Sequence, residues 1–308
     1  MRAAFIALAF SCSVDAFGIA PSILAQNGGK TCGLSATRYD TVSQPNMRRP
    51  DAFQDARQYN GFQPDARRYD GFQPSTRRQT IIAGNWKLNP SSASEAINLL
   101  KLLASNFMNH RTPQSAMDNE PEVVVFPPFP YLELALNELR GTGIKVGAQN
   151  IGLEMEGPFT GEVAPSMISS LGCDYVMLGH SERRLLYDES DVEINRKVLI
   201  SLREPNLNVI LCVGETLEEY ENKLLSSIVD MQLKAALNGV YPGDLRRIVI
   251  AYEPVWAIGT GKVATPDQAQ AAHLAVRQSL SELYGPEAAQ DIRIQYGGSV
   301  KADNVDAL

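Results

Sequence analysis

The stretch Tyr252-Glu253-Pro254-Val255-Trp256-Ala257-Ile258-Gly259-Thr260-Gly261-Lys262-Val263-Ala264-Thr265 connects a strand to a helix, and this connection decides the fold. The residues 247–251 before it are apolar after Arg247 and predict a buried strand, and Thr265-Pro266-Asp267 is typical of a helix start. Glu253 therefore lies at the carboxyl end of a strand. Pro254 stiffens the backbone beside it, and the glycines that follow allow a ligand to approach closely. The pattern favours a positioned base under a movable loop over a plain apolar connection.

The same alternation of strand and helix runs through the chain from Thr80 onward. Short apolar runs predict strands at 81–86, 123–126, 145–148, 175–178, 209–213, 248–252 and 292–296. Helical patterns lie between them at 93–107, 131–139, 192–202, 217–237 and 266–283. Such alternation implies parallel strands joined by right-handed crossovers. On this ground alone, a β/α barrel and a doubly wound sheet are equally supported.

Polar and glycine residues follow the predicted strands directly. They are Asn85 and Lys87, Gln149-Asn150, His180 and Glu182, Gly214-Glu215, Glu253, and Gly297-Gly298-Ser299. In parallel α/β folds, and above all in a β/α barrel, the rim at the carboxyl ends of the strands carries the chemistry. These residues are therefore the candidate functional residues, although each taken singly could be a surface charge or a structural polar group.

Composition narrows the class of protein. The chain has 308 residues, of which 44% are hydrophobic, enough for one large core or two smaller ones. The net charge of −7 argues against a nucleic acid as partner. Four widely spaced cysteines give neither a disulfide framework nor a zinc pattern, and three histidines leave little room for a metal centre. We therefore expect no metal.

The first 79 residues differ in composition from the rest. They contain ten Lys or Arg, six Asp and no Glu, which gives +4 against −11 for the remainder. Residues 1–16 combine a charged start, an apolar run too short to span a bilayer, and small residues at a cleavage point, which predicts a signal peptide. Residues 17–79 are polar, carry a near-repeat at 55–74, and lack the aliphatic content for a core. They predict a disordered leader, with a binding motif as the alternative.

This arrangement resembles the bipartite presequences of algae with secondary plastids, in which a signal peptide precedes a basic transit-like segment. A phenylalanine often follows the cleavage point in those presequences, and Phe17 follows Ala16 here. The expected location is therefore a plastid, with secretion, mitochondrial import and the cytoplasm as alternatives. No other segment approaches membrane-spanning length, so no membrane is expected as partner of the mature form.

A set of motifs extends along residues 80–305. The motifs are Gly84-Asn85-Trp86-Lys87, Gly147-Ala148-Gln149-Asn150, Phe159-Thr160-Gly161-Glu162-Val163, Leu178-Gly179-His180-Ser181-Glu182-Arg183-Arg184, the residues 251–262, and Tyr296-Gly297-Gly298-Ser299-Val300. In this order they resemble the triosephosphate isomerase family. The resemblance implies an α/β fold, a TIM (β/α)8 barrel over residues 80–308. It also implies an isomerase without cofactor that interconverts dihydroxyacetone phosphate and glyceraldehyde 3-phosphate in glycolysis, gluconeogenesis or the Calvin cycle.

The resemblance assigns roles to five residues. Glu253 would move a proton between adjacent carbons through an enediolate, and His180 would be a neutral electrophile facing the carbonyl oxygen. This pairing of a neutral histidine with a carboxylate base is the family's own established arrangement and is carried over from it. Lys87 would place a positive charge beside the phosphate and the enediolate, and Asn85 would donate to a substrate oxygen. Glu182 would lie near Lys87 and His180, or it could be an ordinary carboxylate in the first turn of a helix.

The family also implies a phosphate site, a lid and a second subunit. Backbone amides of Gly259 and Ser299 would bind the phosphate of the triose phosphate substrate. The lid and its latch would comprise Pro254, Val255, Trp256, Gly261, Lys262, Ala264 and Tyr296. A closed lid would protect the enediolate phosphate from elimination. Thr160 would reach into the neighbouring subunit's site in a homodimer, and Cys212 would pack near the base.

The sequence departs from the family pattern at its carboxyl end. We count seven predicted strands before Leu308, so the eighth strand, its glycine loop and the final helix are expected to be lacking. A sheet of seven strands would leave two strand edges unpaired. An incomplete gene model or partial clone is favoured over natural truncation. The rival hypothesis is a non-catalytic remnant that binds phosphate or a partner. A smaller departure is Asp188, where glycine is common.

Overall fold

A computed structural model describes residues 78–110, 120–258 and 263–300. Within these residues seven strands form one sheet, and every neighbouring pair is parallel. The strands are β1 Ile81–Asn85, β2 Glu122–Phe126, β3 Lys145–Ala148, β4 Tyr175–Leu178, β5 Asn208–Val213, β6 Ile248–Tyr252 and β7 Arg293–Tyr296. They follow one another in chain order across the sheet. The prediction of seven parallel strands is confirmed.

Helices connect consecutive strands. The α-helices are α1 Ala93–His110, α2 Leu132–Glu138, α3 Pro165–Leu171, α4 Ser181–Leu186, α5 Asp191–Ser201, α6 Leu217–Glu221, α7 Leu225–Ala236, α8 Pro266–Tyr284 and α9 Pro286–Asp291. Short 3₁₀ helices cover Phe129–Tyr131, Pro242–Arg247 and Val255–Ala257. None of the helices in the described ranges has the length and apolar character needed to cross a bilayer.

The predicted start of the helix after residue 265 is confirmed, while one other helix prediction is wrong. Thr265 and Gln268 form a reciprocal capping box, and Pro266 occupies the first turn of α8. The single helix predicted over 217–237 is instead two helices, α6 and α7. Lys223 between them adopts a left-handed backbone with φ 59°, which interrupts the helix although the apolar periodicity continues.

The sheet curves into a nearly closed barrel. Strand β7 lies against β1, so the first and last strands of the sheet approach each other. A doubly wound sheet would instead keep its outer strands apart and place helices on both faces. The prediction of a TIM-type barrel is therefore confirmed. The predictions for residues 1–77 and for the helix after β7 fall on residues outside the described ranges.

Two apolar layers hold the barrel together. Alternate strand residues point inward and fill its interior: Ala83, Val124, Phe126, Tyr175, Met177, Ile210, Cys212, Val249 and Ala251. The intervening strand residues pack outward against the helices. Because both faces are buried, the strands read as continuous apolar runs. Gly147 fits this interior because a Cβ there would lie 2.4 Å from the ring of Phe126.

A polar network closes the barrel at the amino end of the strands. Arg293 donates to Glu122 Oε2 at 3.0 Å and to the hydroxyl of Tyr175 at 2.8 Å. Tyr175 also donates to Glu122, and Lys145 lies 3.4 Å from the same carboxylate. Burial opposes ionisation of Glu122, but the Tyr175 hydroxyl and the two cations outweigh it and lower the pKa of Glu122. Charged partners thus tie together strands that are distant in sequence.

This network predicts an acid-sensitive part of the stability. A carboxyl group with a pKa lower in the folded than in the unfolded chain stabilises the fold above its unfolded pKa, and that contribution is lost as the pH falls through the folded pKa. We expect Glu122→Gln to lower Tm at pH 7 by roughly 2–10 °C, corresponding to about 1–3 kcal/mol. The difference from the unaltered chain should shrink below about pH 4. A Tm difference that is constant from pH 7 to pH 3, measured by calorimetry, would contradict this prediction.

Candidate active site

Four strand ends bring predicted site residues to one rim of the barrel. Lys87 follows β1, His180 follows β4, Glu253 follows β6, and Ser299 follows β7. All of these strands run in the same direction, so their carboxyl ends meet at one side of the sheet. The structure therefore places side chains that are up to 212 positions apart in the sequence within one site.

Glu253 is buried beside the histidine. Only 4% of the residue is exposed. Its Oε2 accepts a hydrogen bond from the backbone N–H of Ser181 at 2.8 Å, and its Oε1 lies 3.4 Å from His180 Nε2. Two glycines make room for it: a Cβ on Gly214 would lie 1.8 Å from the Glu253 carbonyl oxygen, and one on Gly297 would lie 3.0 Å from its Cγ. Glycine is thus a steric requirement at position 214, whereas a Cβ at position 297 would make a tight contact with the Glu253 side chain.

His180 forms the N-cap of α4. Its Nδ1 accepts a hydrogen bond from the backbone N–H of Glu182 at 3.2 Å. Because Nδ1 acts as an acceptor, the neutral ring carries its proton on Nε2. That N–H faces the Glu253 carboxylate. The N-cap hydrogen bond therefore sets the tautomer that can donate to an oxygen bound beside the carboxylate.

Lys87 adopts a strained backbone that its neighbours hold in place. Its φ is 53°, a left-handed value that costs a residue with a Cβ about 1–3 kcal/mol. Its N–H donates to Asn85 Oδ1 at 2.9 Å, and its carbonyl accepts from Gln149 Nε2 at 2.9 Å. The Nζ lies 2.5 Å from Glu182 Oε1. The ammonium is thereby directed toward the helix that begins after His180.

Both readings of Glu182 agree with the structure. The residue lies in the first turn of α4, as an ordinary helix-starting carboxylate would. It also pairs with Lys87 through Oε1, while its Oε2 lies 3.8 Å from His180 Nδ1. Glu182 therefore links the cation to the histidine. Asn85 contacts Lys87 through the backbone, since its Oδ1 accepts from the Lys87 N–H. Its Nδ2 lies 3.5 Å from Met177 Sδ inside the barrel.

Known proteins are similar to this chain in sequence. The family described as triosephosphate isomerase matches residues 80–308. The chain belongs to the triosephosphate isomerase family.

Individual members of this family match over most of their length. A protein of Borrelia duttonii (strain Ly) named triosephosphate isomerase is 46% identical over 231 residues, which is 75% of this chain and 88% of that protein. Proteins of the same name from Clostridium beijerinckii and Caldanaerobacter subterraneus subsp. tengcongensis are 44% and 45% identical, with 88% and 89% of their lengths covered. Each alignment covers 75% of this chain.

The expected latch of the triosephosphate isomerase lid is partly within the described residues. The backbone N–H of Ala264 donates to the hydroxyl of Tyr296 at 3.3 Å. Ser299 Oγ donates to the carbonyl of Ala257 at 3.2 Å, so the segment after β7 contacts the segment after β6. Gly259, Gly261 and Lys262 lie outside the described residues.

The remaining predicted residues lie close to Glu253 or on the surface. Pro254 follows the base directly, and the 3₁₀ helix that contains Val255 and Trp256 comes next. Thr160 is exposed in a turn. The backbone N–H of Gly152 donates to the carbonyl of Val163 at 2.9 Å and closes the base of the loop that carries Thr160.

Three residues that support the site had no role assigned from the sequence. Ser181 holds the Glu253 carboxylate through its N–H, and Gln149 binds the carbonyls of Lys87 and Phe126. Glu215 is fully buried. The signal that could have found Gln149 and Glu215 is their position directly after a strand, whereas Ser181 acts through its backbone and leaves no such signal.

Glu215 lies under the start of the loop that follows Glu253. Its Oε1 accepts from the Tyr252 hydroxyl at 2.9 Å and from Trp256 Nε1 at 2.8 Å. Burial raises the pKa of Glu215, although these hydrogen bonds act in the opposite direction. Burial also raises the pKa of the Cys212 thiol, with the nearby Glu253 carboxylate adding to the effect. Cys212 is therefore a protonated packing residue, as the sequence predicted, because a nucleophilic cysteine needs a thiolate.

Proposed function

We propose that this chain is a triose-phosphate isomerase that interconverts dihydroxyacetone phosphate and D-glyceraldehyde 3-phosphate. One observation carries the proposal: a buried carboxylate, an Nε2–H imidazole and an ammonium converge at one rim of the barrel. The reaction needs these three groups, a base for carbon, a donor for oxygen and a positive charge. It moves one proton between neighbouring carbons and one between their oxygens, so it balances without a cofactor. Since the three groups are brought together, the geometry favours the enzyme over a non-catalytic remnant.

The base of the proposed mechanism is Glu253. It would take a proton from the carbon beside the carbonyl group and return it to the neighbouring carbon, with an enediolate between the two steps. The Ser181 N–H that binds Oε2 holds the carboxylate ready at the rim. The low exposure of the residue keeps water away from the place where the proton would be transferred.

His180 and Lys87 would stabilise the oxygens of the enediolate. The Nε2–H of His180 would donate to the oxygen that gains negative charge, because Nδ1 is occupied by the Glu182 N–H. Lys87 would stabilise the same charge and the substrate phosphate as a fixed cation. Asn85 would orient a substrate oxygen, while Gly259 and Ser299 would hold the phosphate through backbone amides.

A direct assay tests the proposal. The purified full chain should convert dihydroxyacetone phosphate into glyceraldehyde 3-phosphate, followed by proton NMR. In deuterium oxide the product should carry deuterium at the carbon that received the proton, because a carboxylate that holds the proton exchanges it with solvent. Phosphate binding without isomerisation would instead support the remnant hypothesis.

The proposed enzyme is a homodimer. Large apolar side chains are exposed beside the Lys87–Glu182 pair: Leu88 is 93% exposed, Leu186 72% and Tyr187 67%. Exposed apolar groups clustered beside a polar site are typical of a protein interface. A symmetric dimer would bury this surface and bring Thr160 of one subunit toward the site of the other.

A charge placed on this surface should separate the subunits. We expect Leu186→Glu to convert the dimer into a monomer, because a carboxylate would be desolvated twice at a symmetric interface. We also expect it to lower kcat at least tenfold, since Lys87 and Glu182 lie next to the surface. The matched control is Leu274→Glu on α8, a leucine with 60% exposure. Light scattering measures the mass, and a monomeric unaltered chain would contradict the prediction.

The proposed location is a plastid, with carbon metabolism such as glycolysis, gluconeogenesis or the Calvin cycle as the setting. The support is the composition of residues 1–79, in which a signal-like start precedes a basic, Glu-free segment. Residues 1–79 would then be removed from the mature enzyme. Mass spectrometry of native protein with residues 1–16 still attached would refute the targeting role.

A further inference from the structure

We propose that Tyr220 is a positioning residue that acts through Trp256 on both ends of the loop following Glu253. The proposal rests on the isomerase function proposed above, because that loop would then hold the substrate phosphate. Tyr220 lies in α6, outside the loop and outside every motif that led to the site residues. Its place in the structure alone gives it this role.

The ring of Tyr220 forms one wall of the Trp256 site. The two rings are stacked, with centroids 4.5 Å apart and an angle of 29° between their planes. The indole Nε1 of Trp256 donates to Glu215 at 2.8 Å. Tyr220 and Glu215 both belong to the connection from β5 into α6. A single segment therefore holds the indole by its face and by its edge, and it fixes the 3₁₀ helix that begins two residues after Glu253.

The hydroxyl of Tyr220 reaches the other end of the loop. It accepts a hydrogen bond from Gln268 Nε2 at 2.5 Å. The Oε1 of Gln268 accepts from the backbone N–H of Thr265 at 2.8 Å, and Thr265 is the N-cap of α8. Tyr220 is thus tied to the residue at which the loop ends and the helix begins.

Apolar packing also joins Tyr220 to both ends of the loop. Trp256 and Ala257 from the start of the loop and Ala264 from its end form one cluster, and Tyr220 and Tyr296 pack against it. Two neighbouring aromatic residues outside the loop therefore hold its two ends close together. Tyr296, at the end of β7, has a family role in the latch. Tyr220 packs against the loop from its other side, where α6 lies. Loss of the Tyr220 ring would remove the wall shared by both ends.

The expected effect falls mainly on substrate binding. Without the ring, the ends of the loop are less restrained, and more order must be imposed when the phosphate binds. We expect Tyr220→Ala to raise KM for dihydroxyacetone phosphate roughly two- to tenfold, the range that one aromatic stacking contact corresponds to. The value of kcat should change less than KM, because Tyr220 contacts none of the reacting groups. Tyr220→Phe keeps the ring face but loses the hydroxyl that accepts from Gln268, so its KM should lie between that of the unaltered enzyme and that of Tyr220→Ala.

Fluorine NMR of the full chain labelled with 5-fluorotryptophan reports on the contact directly. The chain has two tryptophans, and Trp86 is 1% exposed in the core, so its signal is an internal control. We expect Tyr220→Ala to shift or broaden the Trp256 signal and to leave the Trp86 signal unchanged. Tyr220→Phe should keep the Trp256 signal near its original position. Glu221→Ala, at an exposed position in the same helix, is the matched control and should change neither signal nor KM.

The outcomes separate this role from simple packing and from the function itself. Equal changes of both tryptophan signals, or a KM unchanged in Tyr220→Ala while Tm falls, would show a merely structural residue and overturn the proposal. Tyr220→Leu retains apolar volume without a ring face, so a KM equal to that of the unaltered enzyme in this variant would also overturn it. An unaltered chain without isomerase activity would overturn the proposed function, even if the Trp256 signal still moved in Tyr220→Ala.

Discussion

Replacing Glu253 with aspartate is expected to lower kcat by roughly 10²-fold or more while KM changes little. The shorter side chain withdraws the carboxylate by about 1 Å, and a displacement of this size can cost about two orders of magnitude in a reaction that depends on alignment. Substrate binding should persist because the phosphate would be held by other residues, near Ser299 and Gly259. The prediction thus separates the base from the binding groups.

The structure makes this substitution informative for a second reason. Glu253 Oε2 accepts from the Ser181 N–H, and its Oε1 lies beside His180. An aspartate reaches neither position in full, yet it keeps the charge and adds no bulk, so the fold should survive. Glu133→Asp at an exposed position of α2 is the matched control and should leave kcat unchanged. Steady-state kinetics and circular dichroism measure both variants, and a Glu253→Asp enzyme with normal turnover would eliminate Glu253 as the base.

The strands and the rim could be predicted because their physics is local. A parallel strand that is buried on both faces needs a continuous apolar run, and residues such as 209–213 in β5 show it directly. The end of each run then marks the rim, which is how Glu253, His180 and Lys87 could be placed on one side. Closure of the sheet into a barrel could not be predicted this way, because it depends on the contact between β1 and β7.

The supporting contacts could not be predicted because they depend on strand register. Val213 pairs with Tyr252, so Glu215, two residues on, comes under Tyr252 and Trp256. The sequence contains both partners but not the register that joins them. Contacts made by the backbone are even harder to predict from the sequence. The N–H of residue 181 would bind Glu253 with almost any side chain at that position, so the identity of Ser181 gives no signal. The backbone of Asp188 is left-handed, with φ 52°, a conformation that glycine adopts without steric cost.

Gly214→Ala is expected to be the most damaging single-methyl change in the described part of the barrel. A Cβ at this position would lie 1.8 Å from the carbonyl oxygen of Glu253 and 2.7 Å from its carbonyl carbon. Both are backbone atoms, so no side-chain rotation relieves the clash, and β5 and β6 must move apart. Overpacking of this kind costs typically about 1–3 kcal/mol. The backbone of Glu253 would move with it, and kcat/KM should fall roughly 10²-fold.

Gly243→Ala supplies the matched control, since a Cβ there would meet nothing within 4 Å and its backbone is not left-handed. That variant should keep the Tm and kcat/KM of the unaltered chain, because it removes a glycine without introducing a contact. Fluorescence-detected thermal unfolding and steady-state kinetics on the two alanine variants make the comparison. A Gly214→Ala enzyme with unchanged kcat/KM would show that the approach of β5 to the Glu253 backbone does not set the position of the base. A lower kcat/KM with an unchanged Tm would instead show that the methyl group displaces Glu253 alone. The barrel would then accommodate the methyl group without loss of stability.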